Sequence, residues 1–238
     1  MAGRFGPLSI IKQTNRTHTG TVIFFHGSGD TGKGIHDWVK ALLGKELTFP
    51  HIQIVYPTAP LQPYTPLNGA KSHVWFDRLD ISPDVPEHKE SLDNVCTEMI
   101  DFIKNEVASG IPLNRIIVGG FSMGGCLAMH LGYRYMPGVA GVFALSSFLN
   151  NNSLVYDDLK SLPDDDERKH TPLFMCHGQL DDLVPIEWGQ NTLRNLTKHG
   201  ITRTEFNPLK NALHELRKEE IHKLNKWIFD VLPPLENE

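Results

Sequence analysis

The sequence of 238 residues predicts a single α/β domain, in which a doubly wound, mostly parallel sheet carries helices on both faces. Short apolar segments alternate with longer segments whose apolar residues repeat at helical spacing, and this alternation is typical of parallel sheets. A G-x-S-x-G motif lies where one apolar segment meets a helical one. No repeat or linker divides the chain, and its length suits one domain, so we expect one domain over residues 1–238.

The predicted strands are short apolar runs that end at Gly, Pro or polar residues. They are 8–13, 21–26, 51–56, 115–119, 139–146, 172–177 and 202–207. The run at 21–26 is apolar on both faces, as a central parallel strand should be. Each predicted helix has one apolar face. The helices are 36–46, 87–109, the segment after Ser122, 185–199 and 213–231.

Two long polar connections interrupt this alternation. Residues 58–86 are rich in Pro, and so long a connection in a compact domain usually covers a functional site. Residues 150–170 contain the acidic run Asp164-Asp165-Asp166, which lacks the ligand spacing of a calcium loop. We therefore expect residues 150–170 to form a solvated loop.

Charge, hydropathy and terminal motifs argue against nucleic-acid binding, membrane binding and secretion. The net charge is −5 and no long basic run occurs, which argues against binding to nucleic acid or to anionic membranes. No run of 18 apolar residues is present, so we expect no membrane insertion. The first residues lack a signal-peptide pattern, and Ala2 does not fit N-myristoylation. The widely spaced Cys96, Cys126 and Cys176 indicate free thiols, and together these features predict a cytosolic protein.

The G-x-S-x-G motif runs from Gly120 to Gly124 and predicts a nucleophile elbow around Ser122. In such an elbow the serine lies on a strained turn, and glycines flank it because a Cβ would collide with the neighbouring strand or helix. The helix that follows directs free N–H groups at the reacting carbonyl. The backbone N–H of Met123 would therefore form half of an oxyanion hole. The alternative is a glycine-rich turn with a serine that has no catalytic role.

A second glycine-rich segment, HGSGDTGKG at 26–34, is compatible with three kinds of loop. It fits G-x-G-x-x-G, but no acidic residue ends the next strand, as a dinucleotide site requires. It is one residue short of a Walker A loop and has Gly34 where a Ser or Thr would hold Mg²⁺. An oxyanion loop fits better, with the backbone N–H of Ser28 as a donor and His26 as a structural residue. We expect no cofactor, and no metal site because Lys218 breaks the zinc motif H-E-x-x-H.

A serine nucleophile needs a histidine base and a carboxylate that orients it, and after such an elbow the acid precedes the histidine in the chain. Asp181 and Asp182 both follow the sixth predicted strand, and the residues alone leave both open. His214 lies where the base is expected, after the last predicted strand. His199 precedes that strand, and His222 lies further on, in the last predicted helix.

These motifs resemble those of the acyl-protein thioesterase and lysophospholipase family of small α/β-hydrolases. HGSGDTG, YPTAP, WFD, GGFSMGGCLA and CHG-x-x-D-x-LVP occur in the family's order and spacing over nearly the whole chain. The resemblance implies an α/β-hydrolase fold with Ser122 as nucleophile, Asp181 as acid and His214 as base. It also implies oxyanion donors at the N–H groups of Ser28 and Met123, with no cofactor. The implied substrates are small acyl esters or S-acylated proteins.

The sequence departs from this family at positions that bear on chain length. The family typically has Leu where this chain has Ser28 and Gln where it has Met123, and many members carry a lipidated Cys at the position of Ala2. Each buried CH₂ contributes only about 0.8 kcal/mol, so a pocket that is less apolar loses its preference for long chains quickly. We therefore expect a carboxylesterase that favours acyl chains of about C2–C6 and acts weakly on palmitoylated peptides. The alternatives are a long-chain lysophospholipase and a non-catalytic binding module.

Overall fold

The computed structural model describes residues 5–15 and 17–235, which build a central, mostly parallel sheet. Its strands and one separate hairpin are β1 (Ser9–Ile11), β2 (Gly20–Phe25), β3 (Ile52–Tyr56), β4 (Leu61–Pro63), β5 (Lys71–His73), β6 (Ile116–Phe121), β7 (Gly141–Leu145), β8 (Leu173–Gly178) and β9 (Thr204–Leu209). Seven strands form the sheet in the order β1-β3-β2-β6-β7-β8-β9. β1 runs antiparallel to β3 and the other neighbours are parallel, while β4 and β5 form the antiparallel hairpin.

Helices pack on both faces of the sheet. They are α1 (Gly32–Leu43), α2 (Lys89–Ala108), α3 (Met123–His130), α4 (Leu154–Ser161), α5 (Glu167–His170), α6 (Ile186–Lys198) and α7 (Lys218–Val231). One apolar cluster joins the sheet to α2, α3, α4 and α6, and a second joins the opposite face to α1 and α7. All six residues of β2 are buried, because alternate side chains enter the two clusters. The predicted doubly wound α/β architecture is confirmed.

Two helices begin at other residues than the sequence predicts. α1 begins at Gly32, because the Thr31 hydroxyl caps it by accepting a hydrogen bond from Gly34 N at 3.0 Å. The second half of the glycine-rich segment is therefore helical. The last helix begins at Lys218 instead of residue 213, where the Glu220 carboxylate accepts a hydrogen bond from the backbone N–H of Arg217 at 3.2 Å. His214 thus lies in a loop, four residues before α7.

Residues 150–170 are the clearest error of the sequence-based prediction. They contain α4 and α5 instead of a continuous loop, and the side chains of Ser153 and Asp166 cap the two helices. The acidic run serves local structure, because Asp166 caps α5 and Asp164 accepts a hydrogen bond from Lys169 at 3.0 Å. The first strand is also shorter than predicted and spans three residues.

Further predictions concern the cysteines, membrane insertion, metal binding and Ala2. Cys96, Cys126 and Cys176 are buried and free, as predicted. None of the helices in the described ranges combines the length and apolar character needed to cross a membrane. Among the described residues, no three His, Cys, Asp or Glu side chains are grouped so that they could hold a metal ion. Ala2 lies outside the described residues.

Candidate active site

The candidate site lies at the carboxyl ends of β2 and β6. β2 pairs with β3 on one side and with β6 on the other, so the chain changes direction across the sheet at this point. In doubly wound sheets, ligands bind in the crevice that such a change of direction leaves open. Ser28 follows β2 and Ser122 follows β6, so both glycine-rich segments meet at this crevice.

The turn around Ser122 has the strained geometry expected of a nucleophile elbow. Ser122 has φ 53° and ψ −119°, a backbone conformation that costs about 1–3 kcal/mol for a residue with a Cβ. Its backbone N–H donates to the carbonyl oxygen of Leu145 at 2.8 Å, which fixes the turn against β7. A Cβ at Gly120 would lie 2.5 Å from the Phe25 carbonyl oxygen, and one at Gly124 would lie 2.4 Å from it. Both flanking positions therefore require glycine.

Three side chains form a continuous chain of hydrogen bonds beside this turn. His214 Nε2 lies 3.0 Å from Ser122 Oγ, and His214 Nδ1 lies 2.8 Å from Asp181 Oδ2. When Nδ1–H donates to the carboxylate, Nε2 is left to accept the hydroxyl proton of Ser122. The Asp181 side chain is completely buried, whereas the His214 side chain is 14% exposed. The arrangement can therefore move a proton away from Ser122 at a solvent-accessible face.

The loop after β8 determines which of the two neighbouring acids reaches His214. Asp181 Oδ1 accepts hydrogen bonds from the backbone N–H groups of Leu183 at 3.1 Å and Val184 at 2.8 Å. The backbone N–H of Leu180 donates to the carbonyl oxygen of Ala212 at 2.9 Å, which joins the acid loop to the loop that carries His214. Asp182 is exposed. The geometry thus brings together Ser122, His214 and Asp181 and leaves Asp182 in solvent.

His26 holds the loop that follows β2. Its Nδ1 lies 2.6 Å from the Gly27 carbonyl oxygen, and its Nε2 accepts a hydrogen bond from Ala59 N at 3.0 Å. The indole N–H of Trp75 donates to the His26 carbonyl oxygen at 2.8 Å. Burial lowers the pKa of His26 to about 4, so the imidazole is neutral at physiological pH. His26 has the structural environment that the sequence suggested.

Ser28 and Met123 line the same pocket as Ser122 and His214. Met123 is the first residue of α3, so its N–H belongs to the first turn, where intrahelical acceptors are lacking. Within the described ranges, neither N–H donates to another backbone group. Neither N–H is therefore engaged by the backbone of the described residues.

Sequence reasoning missed Tyr64 and Arg78, which line this pocket together with Ile81. All three belong to the long connection 58–86, whose length was the one sequence signal that it covers a site. The connection contains the β4–β5 hairpin and a short 3₁₀ turn, Thr65–Leu67, and such irregular folding hides side-chain placement from pattern analysis. The pocket has a cavity volume of about 110 Å³.

The chain is similar to known proteins over nearly its whole length. A family model described as phospholipase/carboxylesterase matches residues 7–232. The chain is 50% identical to lysophospholipase-like protein 1 of Mus musculus over 227 residues, which are 95% of this chain and 92% of the relative. It is 32% identical to acyl-protein thioesterase 1 of Emericella nidulans over 231 residues, with 92% of each chain covered.

A solved structure agrees with these sequence relationships. The crystal structure of acyl-protein thioesterase 2 from Zea mays superposes with a TM-score of 0.81 at 26% identity, covering 95% of this chain and 99% of the other. The shared fold is that of the α/β-hydrolases, as predicted. Because the family model spans nearly the whole described chain, this protein belongs to the phospholipase/carboxylesterase family of α/β-hydrolases.

Proposed function

We propose that this protein is a serine hydrolase that cleaves carboxylic esters and thioesters through an acyl-enzyme on Ser122. The observation that carries the proposal is the hydrogen-bonded chain from Ser122 through His214 to Asp181, placed at the crevice between β2 and β6. Relatives named acyl-protein thioesterase, at 32% and 33% identity, support a substrate with an ester or thioester bond.

The geometry supports a reaction in two steps. His214 Nε2 takes the proton from Ser122 Oγ as the oxygen attacks the carbonyl carbon, and the protonated imidazole then gives this proton to the departing alcohol or thiol. Water next donates a proton to His214 and attacks the carbonyl carbon of the acyl-enzyme. The protonated imidazole then gives this proton to Ser122 Oγ as the carboxylic acid leaves. Asp181 holds His214 in the tautomer that leaves Nε2 free to accept a proton.

The N–H groups of Ser28 and Met123 complete the proposed machinery. They would donate hydrogen bonds to the oxyanion of each tetrahedral intermediate, and the loss of one such donor typically costs about 3–4 kcal/mol of transition-state stabilisation. His26 supports this role indirectly, because its hydrogen bonds to Gly27 and Ala59 hold the loop that carries Ser28. No step requires a cofactor.

We propose short acyl chains as the preferred substrates. The pocket beside Ser122 has a volume of about 110 Å³, which is small compared with the roughly 300–1,000 Å³ of typical ligand pockets. Ser28, Tyr64 and Arg78 add polar groups to its lining. Both features disfavour a long apolar chain, so long-chain lysophospholipids and palmitoylated proteins are the second candidate class. We further propose that residues 1–238 act as one domain in the cytosol.

A fluorophosphonate probe tests the proposed function directly, because it reacts only with an activated serine. We expect the purified protein to form a covalent adduct that peptide mass spectrometry maps to Ser122. The same preparation should hydrolyse p-nitrophenyl acetate and an S-acetyl thioester. A protein that neither reacts with the probe nor cleaves either substrate would instead be a binding module with an α/β-hydrolase fold.

A further inference from the structure

Arg78 is a buried cation at the wall of the candidate active site. Only 9% of its surface is exposed, and it lines the pocket together with Ser122 and His214. Its guanidinium carbon lies 4.8 Å from the ring centre of Phe148 and 5.2 Å from that of Phe76, so the charge contacts two aromatic side chains. These cation–π contacts offset part of the cost of removing the charge from water.

The Arg78 guanidinium lacks the partners that a buried charge normally has. Its Nε is buried without a hydrogen-bond acceptor among the described residues, and no carboxylate there lies within the 4.0 Å of an ion pair. Arg134 is equally buried, yet it is paired with Asp158 at 2.8 Å and with Asp93 at 3.1 Å. Burying an unpaired charge costs free energy. Arg78, unlike Arg134, is therefore available to bind an acceptor on a ligand.

Two acids are neighbours of Arg78, Asp77 in the chain and Glu87 through backbone pairing, and the carboxylate of each binds other groups. The Asp77 carboxylate accepts hydrogen bonds from the backbone N–H of Thr65 at 2.9 Å and from its hydroxyl at 2.7 Å. Glu87, which pairs with Arg78 through the backbone, contacts His130 Nε2 at 3.2 Å and accepts from Leu154 N at 2.9 Å. Neither acid neutralises the guanidinium.

Tyr64 adds a second polar group to the same wall. It is 3% exposed, lines the pocket beside Ser28 and lies within electrostatic range of Arg78. Burial raises the pKa of Tyr64, so its phenol stays protonated and can donate a hydrogen bond. A guanidinium and a phenol that face one small pocket form a suitable receptor for an anionic oxygen group.

We propose that Arg78 is a specificity-determining residue, which binds a carboxylate on a short ester or thioester substrate while Ser122 attacks the scissile carbonyl. The inference rests on the proposed hydrolase function and deepens it. A pocket of about 110 Å³ leaves room for only a short spacer between the two groups. The carboxylate can belong to the far end of the acyl chain or to the leaving group, and both present the same chemistry to Arg78.

Two pairs of substrates separate these sources, each with a neutral amide of the same shape as the control. Monomethyl glutarate and methyl glutaramate place the group on the acyl chain, whereas 3-acetoxybenzoate and 3-acetoxybenzamide place it on the leaving group. We expect the acid to exceed its amide in kcat/KM by about tenfold or more in at least one pair, because a charge-assisted bond replaces a neutral one. The pair that shows the preference locates the carboxylate.

Arg78→Met tests whether the guanidinium causes this preference. We expect the acid-to-amide ratio of kcat/KM to fall about tenfold or more, because the variant loses a charge-assisted bond that only the acid can make. Arg78→Lys should keep part of the preference, because it keeps the charge but not the planar fork. Lys45→Met is the matched control, since it removes one charge from an exposed site and should leave the ratio unchanged.

Three outcomes would overturn the inference. The first is a parent protein that shows no preference for the acid in either pair, a result that does not depend on how any variant folds. The second is an Arg78→Met variant whose acid and amide substrates decline equally, which would mean a general role in the transition state. The third is an Arg78→Met variant that keeps the full preference. Cleavage of p-nitrophenyl acetate but of none of the four esters counts as the first outcome, because it shows no preference for the acid. Failure to cleave p-nitrophenyl acetate as well would instead reject the proposed hydrolase function.

Discussion

Asp181 and Asp182 are neighbours in the chain, yet only Asp181 contacts His214, with Oδ2 lying 2.8 Å from Nδ1. The difference arises from the backbone of the loop after β8, whose N–H groups at Leu183 and Val184 hold the other oxygen of Asp181. Asp182 is exposed on the same loop. Two residues of the same type thus have separate environments, and their substitution gives a matched pair of variants.

Asp181→Asn is expected to lower kcat by about three to four orders of magnitude, because a neutral amide no longer selects the tautomer in which His214 Nε2 accepts a proton. Asp182→Asn should stay within about threefold of the parent, because its carboxylate faces solvent. Steady-state hydrolysis of p-nitrophenyl acetate measures both. A larger loss in Asp182→Asn than in Asp181→Asn would contradict the assignment of the acid.

Acyl chain length is tested with p-nitrophenyl esters from C2 to C16, each kept below its micelle concentration. We expect kcat/KM to peak at about C2–C6 and to fall for longer chains, because the small pocket cannot bury further CH₂ groups at about 0.8 kcal/mol each. A palmitoyl-cysteine peptide should be cleaved slowly. A steady rise of kcat/KM up to C16 would instead favour the depalmitoylase and lysophospholipase alternatives.

Glu220 makes stability depend on pH at a site remote from the catalytic residues. Its side chain is fully buried, and Oε1 has no hydrogen-bond partner among the described residues. Burial raises the pKa of Glu220 from 4.5 to about 8, although the hydrogen bond from Arg217 N opposes this shift. The unfolded chain releases the proton above pH 4.5 and the folded chain only above about pH 8, so the free energy of unfolding decreases as pH rises through this range.

Glu220→Gln should remove this decrease in the free energy of unfolding at high pH, because an amide does not ionise. We expect Tm to exceed that of the parent by about 2–6 °C at pH 8.5 and to differ by less than about 2 °C at pH 5. Glu219→Gln, in the same turn but exposed, is the control and should show no such dependence on pH. Equal shifts of Glu220→Gln at both pH values would show that the carboxyl group is not protonated in the folded state.

The sequence allowed the fold and the proposed catalytic residues to be predicted because their signals are local. Burial on both faces makes β2 and β6 continuous apolar runs, and the glycines around Ser122 are required by the close approach of the Phe25 carbonyl oxygen. The order of Ser, Asp and His along the chain then limits the partners. Asp181 could be separated from Asp182 only through the family resemblance, since backbone N–H donors inside a loop leave no periodic pattern.

Other features depend on tertiary contacts that no local pattern encodes. Residues 150–170 are polar, yet α4 buries Val155 and Leu159 against the core, and this packing outweighs composition. Arg78 reaches the site because the connection 58–86 folds back over the crevice, although its neighbours in sequence give no such indication. The start of α1 was missed because the Thr31 cap precedes two glycines, which are poor helix formers.

Ser122→Ala tests the central proposal most directly, through kcat for p-nitrophenyl acetate measured beside the parent and the exposed-site control Ser109→Ala. We expect Ser122→Ala to keep the parent's circular dichroism spectrum and to lose about three or more orders of magnitude in kcat, because no other group can form the acyl-enzyme. Ser109→Ala should retain parental activity. A folded Ser122→Ala variant with kcat within tenfold of the parent would contradict the assignment of Ser122 as the nucleophile.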